Sequence, residues 1–450
     1  MNKKLLTLGV VALATAGLVA CDSNRNTNGR EKVLTYLVSS ESTAYTNILN
    51  QLLKEFNASI KEEGYRIETE TPGGDYYGSL GTKFTGSSVP DIMMMEIGYF
   101  NAYARFLEPL DTYIEKSSVL SKSDLWDIND AYTYQGTTRA LIKDFSPDFM
   151  LIYNKTMLDS YNASHPEKQF IISETDPMTW SEFYEMTSTI QKEQNVAYGT
   201  SLGFEPVKHL HELVQMTGAT MYTNNNTELN VNNEHLREAF SFYCALQKDN
   251  ATEFSYFNKN QNNGKAPASY TSGSNTSEQE LFKQGRTFSI FNGLYSFAAY
   301  DFYNLNFEVG IAPSPVEKKG DKAYSTTSAM VSHAIAKSSK HKDIAWRWLE
   351  FYQTEGLKRL AKIAFNIPGN KTIASSDAFL KNDNEKVSKM TQYFYNYVAS
   401  GAVHATVYNP NISFQRIQTC FSTHFAKYYD GQLDFNSTLN EINKSIKASI

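Results

Sequence analysis

Lys143-Asp144-Phe145-Ser146-Pro147-Asp148-Phe149-Met150-Leu151-Ile152-Tyr153-Asn154-Lys155 is the stretch whose reading decides the fold. A polar turn containing Pro147 runs directly into five apolar residues, Phe149 to Tyr153, and Asn154 and Lys155 stop that run. Proline cannot donate to a sheet ladder, so the strand begins after it. An unbroken apolar run of this length predicts a strand buried on both faces, the habit of a parallel sheet. A turn that leaves one unit and opens a buried strand of the next predicts a crossing between two lobes, with its polar groups facing a cleft. The plain alternative is an ordinary loop before an ordinary strand, and the rest of the chain decides between them.

Upstream, Val33 to Val38 reads as a buried strand, and Ser42 to Phe56 has helical spacing, with Ile48, Leu49, Leu52, Leu53 and Phe56 on one side. Tyr65 to Glu70 is a second short strand, and Pro72-Gly73-Gly74 marks a turn. Asp75 is placed to cap a helix carrying Leu80 and Phe84, and Pro90 precedes a third apolar run, Ile92 to Met95. Strand, helix, strand, helix, strand is a doubly wound α/β pattern.

Downstream the pattern restarts. Thr179 with Glu182 forms a capping box at the head of a helix. Strands are predicted at 197–202, 287–291 and 307–311. Helices are predicted near 206–217, 234–248, 343–354 (ended by Gly356), 384–398, 412–428 and 435–449, and 250–276 reads as a long polar surface loop. The apolar stripes of these helices are core faces.

At 450 residues the chain exceeds one core, so two or three domains are expected. With 41% hydrophobic and 20% charged residues it is globular, and a net charge of -6 without a basic block argues against nucleic acid. The 29 Tyr and 27 Phe would suit sugar stacking, but an Asn- and Lys-rich chain drifts to such a composition without it.

At the N-terminus, Lys3 and Lys4 precede an apolar run from Leu5 to Ala20, the form of a signal peptide. Its end, Leu18-Val19-Ala20-Cys21, resembles the lipobox of bacterial lipoproteins, which implies cleavage before Cys21 and acylation of that thiol. Residues 1–20 are then the signal peptide and 21–30 a flexible tether. No later segment is long and apolar enough to span a bilayer. The expectation is an exported body anchored by lipid to the cell membrane, at the outer face or in the periplasm. Two further cysteines, Cys244 and Cys420, are open to pairing but read more simply as two buried thiols on helices, and no metal spacing involves them.

Several segments in order resemble the extracellular solute-binding lipoproteins of ABC importers, of the maltose-binding-protein type. They are Val89-Pro90-Asp91-Ile92, Leu107-Glu108-Pro109-Leu110-Asp111, Ile152-Tyr153-Asn154-Lys155, Pro177-Met178-Thr179-Trp180-Ser181-Glu182, Phe282-Lys283-Gln284-Gly285-Arg286, Val309-Gly310-Ile311-Ala312-Pro313-Ser314-Pro315 and Asp343-Ile344-Ala345-Trp346-Arg347-Trp348-Leu349. The resemblance implies two doubly wound α/β lobes joined by chain crossings, a periplasmic-binding-protein-like fold with ligand bound between the lobes. Mapped here, the crossings fall near Phe145 to Pro147, Phe291 to Gly293 and Phe365 to Asn370. The lobes are then 31–144 plus 293–364 and 145–292 plus 365–450.

Within the family, Gly74-Asp75-Tyr76 and Met95-Glu96-Ile97-Gly98 resemble glycerol-3-phosphate-binding members, in which the matching Tyr and Glu contact the ligand. Gln415-Arg416 resembles the segment whose Arg grips the phosphate. Three departures put a neutral sugar on an equal footing with a phosphorylated ligand. The crossing carries Asp148, the turn expected to be Gly-rich at 326–332 lacks Gly, and Asn366 stands where a Tyr is expected. The implied ligand is a sugar or a glycerol phosphate, and the implied binding residues are Tyr76, Glu96, Ser146, Asp148, Asn292, Gly293, Tyr295, Asn366 and Arg416. The implied partners are ABC permease subunits. The protein is expected to be a monomer without cofactor or metal, and not an enzyme.

The rival is a secreted lipoprotein hydrolase, an esterase or glycosidase. Gly199-Thr200-Ser201-Leu202-Gly203 fits the G-x-S-x-G elbow, but its first Gly falls inside a predicted strand and Pro206 delays the helix. His209 and His211, two apart on a helix, point to different faces and do not make a zinc pair. Asp91, Glu96 and Asp148 suit a glycosidase pair or a sugar cleft equally.

Overall fold

The computed structural model describes residues 31–202, 206–247, 277–327, 330–363, 366–406 and 408–450. The signal peptide, the tether with Cys21, and the 250–276 loop lie outside the described residues. The strands in chain order are β1 (Lys32–Leu37), β2 (Tyr65–Glu70), β3 (Ile92–Glu96), β4 (Thr133–Tyr134), β5 (Thr137–Thr138), β6 (Ala140–Phe145), β7 (Met150–Asn154) and β8 (Tyr198–Ser201). They continue with β9 (Tyr222–Thr223), β10 (Glu228–Leu229), β11 (Thr287–Asn292), β12 (Val309–Ala312), β13 (Ser325–Thr327), β14 (Val331–Ile335), β15 (Ile367–Pro368) and β16 (Val403–Ala405). Two sheets dominate: a six-stranded one in the order β15-β6-β14-β3-β1-β2 and a four-stranded one in the order β12-β7-β11-β8.

The two sheets head two α/β lobes joined by chain crossings, as the resemblance implies. The quoted stretch crosses between the lobes: β6 ends the six-stranded sheet at Phe145 and β7 opens inside the four-stranded one at Met150. All five residues of β7 are buried, as the apolar run predicts, but β7 runs antiparallel to both its neighbours, β11 and β12. An unbroken apolar run reports burial on two faces and says nothing about direction.

The later crossings lie elsewhere than expected. After Asn292 the chain stays with the second sheet, since Val309–Ala312 pairs with β7 rather than joining the first lobe. The second crossing therefore begins at Pro313, passes through β13 and reaches the first sheet at β14. Ile367–Pro368 pairs with β6 in the first sheet, so the third crossing follows the Glu385–Ala399 helix instead of preceding it. The second and third crossings run side by side, with β13 parallel to β16. The first is tied to the second by the Phe149 N–H, which donates to Ser325 Oγ at 3.2 Å.

Local chemistry accounts for the helices. Ser42 Oγ accepts from Tyr45 N–H at 3.2 Å and starts the Thr43–Ile60 helix, whose Leu49, Leu52, Leu53, Phe56 and Ile60 are buried. The capping box at Thr179 and Glu182 is present in both directions. Trp348, fully buried, packs on Phe56 and Tyr36 at ring distances of 5.3 and 5.9 Å. Gly356 does not end its helix. The Lys342–Phe351 helix widens into a π turn at Tyr352–Gly356 and continues as Leu357–Ala361. A Cβ at Gly356 would meet the Tyr352 ring at 3.3 Å and Leu52 Cδ1 at 3.4 Å, so glycine serves a close approach there. Cys244 and Cys420 are buried thiols on helices and form no disulfide. No described helix is long and apolar enough to cross a membrane.

Candidate functional site

Strand direction places the site. β3 is parallel to β1, and β14 is antiparallel to both β3 and β6, so β1, β3 and β6 all end at one edge, at Leu37, Glu96 and Phe145. In the second sheet β8, β11 and β12 run together and end at Ser201, Asn292 and Ala312, the edge at which β7 begins. The short link from Phe145 to Met150 joins these two edges and makes them face each other. Ligands of open α/β sheets sit outside the carboxyl ends of strands, and lobe junctions favour pockets.

The floor of this junction is ionic. The Lys143 side chain is only 2% exposed, and its Nζ stands 3.0 Å from Glu41 Oε1 and 3.0 Å from Asp144 Oδ2. It also lies 4.1 Å from the centre of the Tyr45 ring. Burial presses the ammonium toward its neutral form, but the Asp144 and Glu41 carboxylates outweigh it and hold the pKa well above the ordinary lysine value. The Tyr45 and Tyr352 hydroxyls meet at 2.6 Å. His333 packs edge-on to Tyr352 and meets the Tyr36 hydroxyl at 2.6 Å. Burial, with Lys143 adding to it, keeps His333 neutral far below the usual histidine range. Asn366 donates to Asp144 Oδ1 at 3.1 Å, which brings β15 into the same network. The Glu41–Lys143 pair was not legible as a site in the sequence, because its members lie about a hundred residues apart.

The mouth is aromatic. Tyr77 and Tyr99 stack with centres 3.5 Å apart and planes at 7°, and the Glu96 N–H donates to the Tyr77 oxygen at 2.6 Å. Burial, then the charges of Glu96 and Asp75, push the Tyr99 hydroxyl up to about 12, with Lys208 of the second lobe opposing. Across the junction, Tyr99 meets the edge of Phe414 at 5.2 Å. A cavity of about 240 Å³ lies here, with Ile97, Asn101 and Tyr103 on one side and Asn409, Ile412 and Gln415 on the other. A larger, open groove of about 1010 Å³ lies beside the second crossing, between Asp176, Lys322 and Tyr324 on one wall and Tyr393 and Tyr397 on the other.

The residues implied by resemblance are brought together in groups. The Tyr76 hydroxyl donates toward the Leu37 and Met94 carbonyls, at 3.1 and 2.9 Å, and so ties the ends of β1 and β3 beside Glu96. Ser146 Oγ accepts from Leu294 N–H at 2.8 Å, and a Cβ on Gly293 would collide with Ser146 Oγ and the Pro147 carbonyl. Glycine is thus required where the two edges touch. Asn292 Oδ1 accepts from Gly293 N–H at 2.9 Å and Ser296 Oγ at 2.6 Å. Burial, then the charge of Asp148, pushes the Tyr295 hydroxyl up, so Asp148, Asn292 and Tyr295 share one corner of the junction. Arg416 stands apart. It is exposed, and its Nε donates to Ser449 Oγ at 3.0 Å, near the chain's last residue.

The rival motifs take structural roles. Ser201 is fully buried at the end of β8, and a Cβ on Gly199 inside that strand would strike the Thr187 carbonyl. Gly203 lies outside the described residues. His211 is buried, with Nδ1 2.6 Å from the Val207 carbonyl and Nε2 3.0 Å from the Tyr222 hydroxyl. A carbonyl can only accept, so Nδ1 carries the proton.

A family profile described as bacterial extracellular solute-binding protein matches residues 40–358, well over half of the sequence. The chain belongs to that family. No curated protein sequence matches it. Among solved structures, it is similar to an ABC substrate-binding protein from Listeria monocytogenes in complex with cycloalternan. That match has 19% identity and a TM-score of 0.70, covering 93% of this chain and 98% of that one. It is also similar to the cyclic alpha-maltosyl-1,6-maltose binding protein from Arthrobacter globiformis, at 16% identity and a TM-score of 0.69, covering 93% and 99%. A third is an ABC transporter solute-binding protein from Thermotoga lettingae bound with alpha-D-tagatose, at 17% identity and a TM-score of 0.70, covering 93% and 99%. At these identities the likeness establishes the fold.

Proposed function

We propose that the chain captures a neutral carbohydrate between its lobes and delivers it to the permease of an ABC importer. The observation that carries this reading is the chemistry of the facing strand ends. Glu96 ends β3, Asp148 lies on the crossing, and tyrosine rings (Tyr76, Tyr77, Tyr99, Tyr295) stand beside them. Carboxylates accept hydrogen bonds from sugar hydroxyls and repel a phosphate, and tyrosine rings offer faces for sugar rings to stack on. The arginine whose fork would suit a phosphate, Arg416, is bonded to Ser449 instead. Three of the similar structures, by their descriptions, hold or bind carbohydrates, cyclic glucans among them. The reading includes export and lipid attachment at Cys21, on the strength of the lipobox-like Leu18-Val19-Ala20-Cys21.

A thermal-shift panel tests it, with monosaccharides, linear and cyclic glucans, glycerol-3-phosphate and glycerophosphodiesters. A ligand at 100 times its dissociation constant adds about 2.7 kcal/mol of stability. A neutral saccharide that raises the melting point and is recovered unhydrolysed fits the proposal. A panel in which only phosphorylated members shift the melting point, or in which glycosides are cleaved, overturns it. In cells that express the full sequence, Cys21→Ala should leave the precursor uncleaved or release the protein from the membrane fraction. Unchanged retention would remove the anchor from the reading.

A further inference from the structure

The lobes leave a second opening between them, on the far side of the first crossing from the mouth. That crossing joins β6 to β7. In the first sheet β3 and β1 lie to one side of β6 and β15 to the other, and in the second sheet β11 and β8 lie to one side of β7 and β12 to the other. Contacts between the lobes show which sides match. Tyr99, past the end of β3, meets Phe414, whose helix Phe414–Tyr429 packs on the Pro206–Met216 helix that follows β8. Tyr393, on the Glu385–Ala399 helix beside β15, donates to the Glu174 carbonyl at 3.1 Å. Glu174 stands just before the Trp180–Glu193 helix, whose Trp180 N–H donates at 2.7 Å to the carbonyl of Val316, just past β12. The groove of about 1010 Å³ lies on this second, rear side, between walls that come from both lobes.

The rings in its lining are held at fixed angles. Tyr397 Oη donates to the Ala323 carbonyl at 3.1 Å, as Tyr393 does to Glu174, and Tyr324 meets the His404 ring edge-on at 4.8 Å. Along the same lining, three carboxylates (Glu174, Asp176 and Asp321) stand against two ammonium groups (Lys319 and Lys322), which leaves one net negative charge. So small an imbalance draws neither a phosphate nor a polycation. A lipid chain needs a continuous apolar lining, and these charges interrupt it. What suits the groove is a neutral ring compound rich in hydroxyls. Its C–H faces lie on tyrosine, and its hydroxyls bond the carboxylates, the ammonium groups and the Asn396 amide. The volume stands at the top of the range of about 300–1,000 Å³ usual for ligand sites, which gives room for several linked rings.

We propose that the rear groove is a second saccharide site, which holds a linear or cyclic oligosaccharide on tyrosine rings outside the cleft between the strand ends. It differs from that cleft in position and in lining. Only the class of ligand is shared, and that class rests on the carbohydrate reading.

The test is fluorine NMR of the full chain labelled with 3-fluorotyrosine and titrated with the linear and cyclic glucans of the panel. Tyr393→Phe, Tyr397→Phe, Tyr99→Phe and Tyr295→Phe assign the four resonances by deletion. A glucan is expected to shift the Tyr393 and Tyr397 lines saturably. Asn396→Trp, an exposed change on the same helix, fills the groove. It should weaken that titration at least about tenfold and leave the Tyr99 and Tyr295 titration as it was. Tyr324→Ala, which removes one ring from the lining, should weaken the groove titration about tenfold. Glu96→Ala should weaken the titration at the strand ends and leave the groove midpoint in place. Three results would overturn the rear site: no glucan moves the Tyr393 and Tyr397 lines; they move only with Tyr99 and Tyr295 and cease to in Glu96→Ala; or Asn396→Trp and Tyr324→Ala both leave their midpoint unchanged. If the groove lines alone respond, the rear site stands and capture at the strand ends falls. If the Tyr99 and Tyr295 lines alone respond, the rear site falls and capture stands.

Discussion

The floor and the mouth of the lobe junction are closed by opposite kinds of chemistry. At the floor, Lys143 is locked between Glu41 and Asp144, and the three crossings are bound to one another by β13 with β16 and by Phe149 with Ser325. At the mouth, Tyr99, Tyr408 and Phe414 meet as rings. Buried ion pairs are directional and costly to separate, because each partner left alone keeps its desolvation cost. Apolar contacts are non-directional and part by degrees. Separating the two lobes would therefore cost most at the floor and least at the mouth.

The strongest way to break this comparison is at Lys143. Lys143→Met removes the buried cation and leaves the Glu41 and Asp144 carboxylates, each 15% exposed, without their partner. Breaking a buried pair in this way costs about 3–5 kcal/mol, to be read as a shift in urea midpoint at constant slope. A loss below about 1 kcal/mol would mean that the floor is not held by its charges, and the contrast between floor and mouth would fall.

His211, behind Tyr408, gives a second and smaller handle. Burial lowers its pKa from the usual 6.5 to about 4, against the raising effect of the Val207 carbonyl. The folded protein therefore keeps His211 neutral over a range in which the unfolded chain binds a proton. Stability from this site is complete above the unfolded pKa, falls as pH drops from about 6.5 to about 4, and levels off below that, by up to about 3 kcal/mol. His333 at the floor shifts in the same direction, so the wild type loses stability with acid at both places. Melting curves at several pH values should show His211→Gln approaching the wild type as the pH falls. Curves that stay parallel would mean that His211 does not sense acid.

Much of the fold was legible because it rests on local signals. Pro147 before an apolar run marks the first crossing, Ser42 and Thr179 with Glu182 mark helix starts, and the helical stripes are buried as spaced. The later crossings were not legible. A short apolar strand such as Val309–Ala312 carries no record of which sheet it joins, since its partner Leu151–Asn154 lies far upstream. The same holds for the site. Lys143 stands in the quoted stretch, but its pairing with Glu41 exists only after β1 and β6 are placed in one sheet. The tyrosine content looked compositional, and only the fold sets Tyr77 against Tyr99. Asp148 flanks the first crossing, whereas Asn292 and Tyr295 were expected beside a crossing at Phe291 to Gly293 that the chain does not make; they stand near Asp148 because β11 ends where β7 begins.

The smallest expected effect is at Arg416, and it sharpens the reading of the mouth. Phe414 and Gln415 line the cavity there. One residue further along the helix, about 100° around its axis, Arg416 is exposed and donates to Ser449. Arg416→Ala should change stability by no more than about 0.5 kcal/mol, as surface substitutions do. It should leave the affinity for a neutral saccharide within about twofold, with the same value at low and high salt. A phosphate gripped by this side chain would behave otherwise. Charge-assisted bonds are worth about 1.5–3 kcal/mol, so the alanine variant would lose roughly ten- to a hundredfold, and Arg416→Lys would restore only part of it, since a point charge does not reproduce the fork. Calorimetric titration of wild type and both variants with the best saccharide and with glycerol-3-phosphate separates the two behaviours. A large, salt-dependent loss for a phosphorylated ligand would place Arg416 in the binding site and turn the mouth from an aromatic rim into an anion clamp.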